Sequence, residues 1–147
     1  MGEALILETT FLVDLERELA RGASGPAQEL LESRENASLH ITYTIAGELA
    51  AGASLSERDL WRNFVSPFRI LPFNEDVEWQ YGQSYRYLKE HGLLIGSNDL
   101  WTAATALAYD MPLVTRNRSH FRRVPGLKIA SYGTAAEGSP QRPPFTP

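Results

Sequence analysis

The sequence predicts an α/β fold: a three-layer α/β/α arrangement around a short, mostly parallel sheet of four to five strands. Short apolar runs such as ALIL, LHI and LV are too brief for helices and are bounded by Gly, Pro, Thr or polar residues. Between them lie longer stretches with apolar residues at helical spacing. Strands separated by helices pair in parallel, and a parallel sheet must be covered on both faces. The chain has 147 residues, 43% of them apolar, which suffices for one domain with a real core.

The elements follow in order. Ala4–Leu7 reads as a buried strand. Thr9 or Thr10 is placed to cap the next helix, whose Leu12, Leu15 and Leu19 share one face and which Gly22 ends. Pro26 opens a second helix with Leu30 and Leu31 inward. Leu39-His40-Ile41 forms the second strand. Thr44 is expected to cap a short helix holding Glu48 and stopped by Gly52, and Ser56 to cap a helix reaching Val65. Phe68–Leu71 is a third strand between two prolines. Asn74–His91 is a long amphipathic helix closed by Gly92. Ser97 or Asn98 caps a helix running to Tyr109. Leu113-Val114 is a fourth strand and Leu127–Ala130 a fifth. Residues 1–132 read as one domain, and residues 133–147, with three prolines in the last five, as a mobile or extended tail.

Bulk properties narrow the chemistry. No cysteine is present, which removes disulfides, thiolate metal sites and thiol nucleophiles and fits a cytoplasmic location. No apolar run approaches the ~20 residues of a membrane span. The N-terminus carries an acid and no basic region of a signal peptide. A net charge of −4 argues against broad, charge-driven contact with a polyanion. Basic residues nevertheless gather locally at Arg116, Arg118, His120, Arg122 and Arg123.

Three acids, far apart in sequence, stand at the edges of apolar segments: Glu8 in LILETTFLVDL, Glu48 in ITYTIAGELAAG and Asp99 in LIGSNDLWTAATALA. Asn117 follows the run MPLVTR. Parallel α/β folds gather ligands beyond the carboxyl ends of their strands. Carboxylates converging there repel unless a cation sits between them, and hard oxygen donors suit Mg²⁺ or Mn²⁺. Each residue also has an ordinary role open to it. Asp99 is an acid in a first helical turn, Glu48 a helix acid, Asn117 a turn residue, and Asp14 a surface position. Trp79, Tyr81, Tyr85 and Tyr87 read as a packed face making core or dimer contacts rather than a surface for stacking bases. His40, His91 and His120 are scattered and receive no acid–base role.

These segments resemble the PIN-domain ribonucleases, especially the VapC-type toxins of toxin–antitoxin pairs. The resemblance is carried by Glu8-Thr9-Thr10 after an apolar strand, Glu48-Leu49 on a helix, Asn98-Asp99 opening an alanine-rich helix, and Asn117 after Leu-Val-Thr with Phe121 beyond. It runs from about Ala4 to Ala130. It implies a metal-dependent endoribonuclease in which Glu8, Glu48 and Asp99 hold Mg²⁺ or Mn²⁺ and Asn117 orients water or a ligand. Thr9, Arg116 and Arg118 would meet the RNA substrate. A cognate antitoxin and a homodimer are the implied partners. One departure matters: the family has Asp where this chain has Glu8. Glutamate reaches about 1.5 Å further. Either Glu8 binds metal through a shifted backbone or a water, or the site is impaired. A PIN-fold module that binds RNA or antitoxin without cutting is therefore the alternative. A phosphatase-like chemistry ranks last, because Glu8-Thr9-Thr10 supplies no Asp-x-Asp nucleophile.

Overall fold

The computed structural model describes residues 2–133. The expected tail from residue 133 onward thus lies, apart from Gly133, outside the described residues. Five strands and seven helices follow one another as β1 (Ala4–Leu7), α1 (Thr9–Arg21), α2 (Pro26–Ser33), β2 (Ser38–Thr42), α3 (Tyr43–Ala51), α4 (Arg58–Val65), β3 (Arg69–Leu71), α5 (Glu75–Glu90), α6 (Ser97–Tyr109), β4 (Leu113–Val114), α7 (Arg118–Phe121) and β5 (Ile129–Ala130). A 3₁₀ turn at Ala53–Leu55 joins α3 to α4.

The sheet order is β3-β2-β1-β4-β5, and every pair is parallel. β1 lies at its centre. Leu5, Ile6 and Leu7 are each 0% exposed, so both faces of the strand are covered and its apolar residues run on without alternating. β2 and β3 extend the sheet on one side of β1, and β4 and β5 on the other. The connection therefore changes direction between β1 and β4, where α/β sheets open a crevice at the carboxyl ends of their strands. Leu7 is in register with Val114 at that point.

Helices pack on both faces of the sheet in three layers. α5 lies against α6, α1 against α2, and α3 touches both α1 and α6. Ala103 and Ala104 are fully buried, and these small side chains let α6 approach its neighbours closely. Thr102 and Thr105 are buried beside them, and the Thr105 hydroxyl donates to the Trp101 carbonyl at 2.8 Å, so this polar group costs little.

The strands and helices fall where the sequence places them, but four caps do not. Glu8, not a threonine, is the N-cap of α1, and Thr9 and Thr10 lie inside its first turn. Thr42 rather than Thr44 caps α3, accepting the Ile45 N–H at 3.1 Å. α4 starts at Arg58 after Glu57, not at Ser56. α6 is preceded by Gly96, and neither Ser97 nor Asn98 caps it. Thr9, Thr10 and Asn98 turn to the acids Glu48 and Glu8, while α3 begins earlier and α4 later than expected. β3 omits Phe68, β5 is confined to Ile129–Ala130, and Leu19 is 55% exposed instead of facing inward. Asn74 does cap α5, accepting from the Val77 N–H at 3.0 Å, and Gly22 closes α1 in the left-handed conformation at φ 67°.

α2 is capped from outside its own sequence. Gly25, its N-cap, has no side chain to offer, and Glu18 on α1 takes the role. The Glu18 carboxylate accepts from the N–H groups of Ala27 at 2.9 Å and Gln28 at 3.0 Å. Burial raises the Glu18 pKa, but these hydrogen bonds to the charged form outweigh it and hold the carboxyl below its ordinary value of 4.5. A Cβ at position 25 would stand 2.6 Å from Glu18 Oε2, so glycine is required for closeness.

Glu18→Ala should lower stability by about 2 kcal/mol, the scale of a lost cap with buried donors left behind. A depressed folded pKa stabilises above the unfolded value and fades as pH falls. Denaturant titrations of the two proteins should therefore differ at pH 7 and converge as pH falls below 4.5. Gly25→Ala should destabilise by about 1 kcal/mol, because it expels the same carboxylate.

Candidate active site

Glu8 is the first residue beyond β1, and its N–H still donates to the Val114 carbonyl of β4 at 2.9 Å. That bond fixes the backbone where the central strands end. The side chain is 4% exposed. A buried carboxylate is costly without hydrogen bonds. Two threonines supply them to the same oxygen: Thr10 at 2.6 Å and Thr115 at 2.5 Å. Each hydroxyl is itself oriented by a backbone donor. Arg116 N–H donates to Thr10 Oγ1 at 3.0 Å, and Asn117 N–H to Thr115 Oγ1 at 2.9 Å. Two short chains of donors thus converge on Glu8.

Glu48 sits in the middle of α3, and Thr9 of α1 donates to its Oε1 at 2.6 Å. Asp99 is in the first turn of α6, with its side chain 13% exposed. The three acids influence one another. Burial first, then the charges of Glu8 and Glu48, push Asp99 up to about 7. Burial also raises Glu8, opposed by the hydroxyls of Thr10 and Thr115, with the charge of Glu48 adding to the rise. Glu48 is raised by burial, partly offset by the side chains of Thr9 and Asn98. The fold thus brings Glu8, Glu48 and Asp99 to one end of the sheet as mutually repelling charges.

The remaining predicted residues are placed unevenly. Asn117 follows β4 and precedes α7, and its backbone supports the Glu8 network. Thr9 touches Glu48 and lies inside the acidic cluster. Arg116 points its guanidinium at Asp14, at 2.7 Å. Asp14 is therefore no free surface residue: its side chain is 18% exposed and also accepts from the Tyr132 hydroxyl at 2.7 Å. Arg118 donates to Ser131 at 3.0 Å. Of the aromatic residues on α5, Tyr81 packs as expected, stacking on Trp101 at 3.9 Å, while Trp79 is 61% exposed.

The sequence places His120 in a basic run and gives it no acid–base role, and α7 carries it to the cluster. Its Nδ1 lies 3.7 Å from Asp99 Oδ2 and is buried with no hydrogen-bond partner among the described residues. Burial, then Arg123, lowers its pKa. A weak signal was present: His120 stands three residues after Asn117, on the short helix that the fold turns toward α6.

The donor set is all hard oxygen, and among the described residues neither Glu8 nor Glu48 has an ion-pair partner. Such a set suits a divalent cation of the Mg²⁺ class. Among the described residues, however, no group of three or more Asp, Glu or His side chains is drawn together ready to hold an ion. The charges are gathered but stand apart.

A family model described as the PIN domain matches residues 5–127. The chain belongs to the PIN domain family. Ribonuclease VapC2 of Rickettsia felis is 31% identical over 103 residues, 67% of this chain and 77% of that protein. Ribonuclease VapC1 of Methanocaldococcus jannaschii is 36% identical over 60% of this chain and 68% of its own length. Among solved structures, VapBC2 from Rickettsia felis bound to a promoter DNA fragment superposes with a TM-score of 0.75 at 27% identity, covering 88% of this chain and 99% of that one. VapBC-1 from nontypeable Haemophilus influenzae gives 0.68 at 25% identity, covering 87% and 97%. The PIN fold expected from the sequence is the fold observed. No helix among the described residues is long and apolar enough to cross a membrane.

The raised pKa of Asp99 makes a prediction for the metal-free PIN domain. A carboxyl raised in the folded state costs stability as pH climbs from its ordinary 3.8 through about 7. Asp99→Asn should therefore stabilise the chelator-treated protein at pH 8 by on the order of 2 kcal/mol. Thermal melts at pH 4 should show little difference between the two.

Proposed function

We propose that this PIN domain is a metal-dependent endoribonuclease, the toxin of a toxin–antitoxin pair, using Mg²⁺ or Mn²⁺. The observation that carries this reading is the placement of Glu8 at the end of β1, Glu48 on the Thr9 hydroxyl of α1 and Asp99 in the first turn of α6, at the edge where the sheet changes direction. The names of the related ribonucleases and of the VapBC assemblies support it. By the same likeness the partners are an RNA substrate, a cognate antitoxin and a second copy of the chain.

Glu8, Glu48 and Asp99 would hold the ion. A divalent cation held there would supply Lewis-acid activation of a scissile phosphate and of water. The chain's own groups prepare that place. Thr10 and Thr115 fix one Glu8 oxygen and leave the other for a ligand. Thr9 sets the rotamer of Glu48. Asn117, beyond β4, orients water or substrate. Arg116 and Arg118 meet neighbouring phosphates once RNA competes with their present partners, Asp14 and Ser131.

A second reading is a PIN module that binds without cutting. Two observations favour it: Glu8 replaces the shorter acid, and no ligating group of three is preformed among the described residues.

Three measurements decide between these readings. Mn²⁺ should raise the melting temperature relative to chelator, since an ion that binds only the folded chain stabilises it. Asp99→Asn should abolish that rise and reduce RNA cleavage at least about a hundredfold. Glu8→Asp should increase Mn²⁺-dependent cleavage by roughly ten- to a hundredfold, because a misplacement near 1 Å costs on that order. A fall would mean a site adapted to glutamate. No cleavage by either form, with metal binding intact, selects the binding module.

A further inference from the structure

α3 presents two rows of side chains at helical i, i+4 spacing. Tyr43, Gly47 and Ala51 form one, and Thr44 and Glu48 lie in the other. With Asn98 from the start of α6 they line a cleft of about 470 Å³ that opens beside the Glu48 carboxylate. Gly47 lies in this lining, and a Cβ added there would meet nothing within 4 Å. Tyr43 stands at one end, 58% exposed. Its ring is held nonetheless. It packs edge-on against Phe73 at 6.2 Å, Phe73 stacks on Trp101 at 5.1 Å, and Trp101 belongs to the same helix as Asp99.

We propose that this cleft is a nucleobase subsite, in which one unpaired base of a single-stranded RNA stacks on Tyr43 beside the phosphate presented to Glu48, Glu8 and Asp99. The inference rests on the ribonuclease reading and names the part of the substrate that reading leaves open. The volume is in the range of sites for small ligands. Tyr43 and Glu48 are separated by about 7.5 Å along the helix axis, the scale of one nucleotide. An exposed ring with a supported edge offers a stacking face at low entropic cost, and base stacking on aromatic residues accepts any base. Hydrogen bonding adds discrimination through the Thr44 hydroxyl in the lining, while the Asn98 side chain is held on Glu48. A base within a duplex cannot enter, because its faces are already stacked.

The test couples a protein change to a substrate change. In Mn²⁺, Tyr43→Ala should raise KM for a short single-stranded RNA about tenfold with little change in kcat, and Tyr43→Phe should restore it. Removing the base next to the cut should cost the wild-type protein a similar factor and cost Tyr43→Ala almost nothing. Gly47→Met places a long side chain in the cleft while replacing a poor helix former with a good one, and with its thermal melt matching wild type a similar loss points to the cleft. Anisotropy of a labelled oligonucleotide in chelator, where nothing is cut, should rank the variants in the same order. Equal abasic penalties in wild type and Tyr43→Ala would overturn the subsite while leaving the ribonuclease intact. So would a change of oligomeric state on Tyr43→Ala with KM unmoved, since the cleft would then seat a second copy. Failure of the wild-type protein to bind or cleave any RNA would remove both readings together.

Discussion

Keeping a carboxylate at the buried end of the central strand is the constraint to which the neighbourhood of Glu8 answers. The side chain cannot reach bulk water, so the protein must solvate it. It does so with hydroxyls, not cations. Thr10 comes from the helix that follows β1, and Thr115 from the strand beside it. Both are neutral, so the negative charge is stabilised locally without being cancelled. Glu48 and Asp99 then stand in the field of an anion that no side chain among the described residues neutralises, and Asp99 shows the effect most clearly. Arginine in place of either threonine would instead pair with the carboxylate and cancel its charge.

The same constraint explains which parts of the architecture matter. Parallel pairing of β1 with β4 puts Glu8 beside Thr115, and a shift of one residue in that register would separate them. Packing of α3 against α1 and α6 brings Glu48 and Asp99 to the same edge, and buried alanines on α6 make the approach close. The core thus serves the site through distance. It spaces the helices, and the helices space the charges.

Much of this was legible in the sequence, because the governing signals are local and periodic. Apolar runs marked the strands, and the three acids were singled out by their position at the edges of apolar segments. What escaped was set by side chains meeting across elements. Thr9 and Thr10 have the composition of a cap, yet each spends its hydroxyl on an acid, one of them on a different helix. Glu18 looks like an ordinary acid on α1, and only the fold reveals that it closes the start of α2. Asp14 and Arg116 lie 102 residues apart and pair in the structure. His120 belonged to a basic run by sequence, and a one-turn helix turns it against Asp99. Burial patterns can be read from spacing, but partners at long range cannot.

Adjacent residues at the head of α1 hold different acids: Thr9 grips Glu48 and Thr10 grips Glu8. Successive positions on a helix point about 100° apart. One turn of backbone therefore works as a caliper whose jaws rest on two carboxylates from separate parts of the chain. Fraying of that turn opens both jaws at once. The exchange of the Thr9 and Thr10 amides with solvent and the spacing of the two acids become one event, and whatever clamps the head of α1 sets the geometry of the whole cluster without touching it.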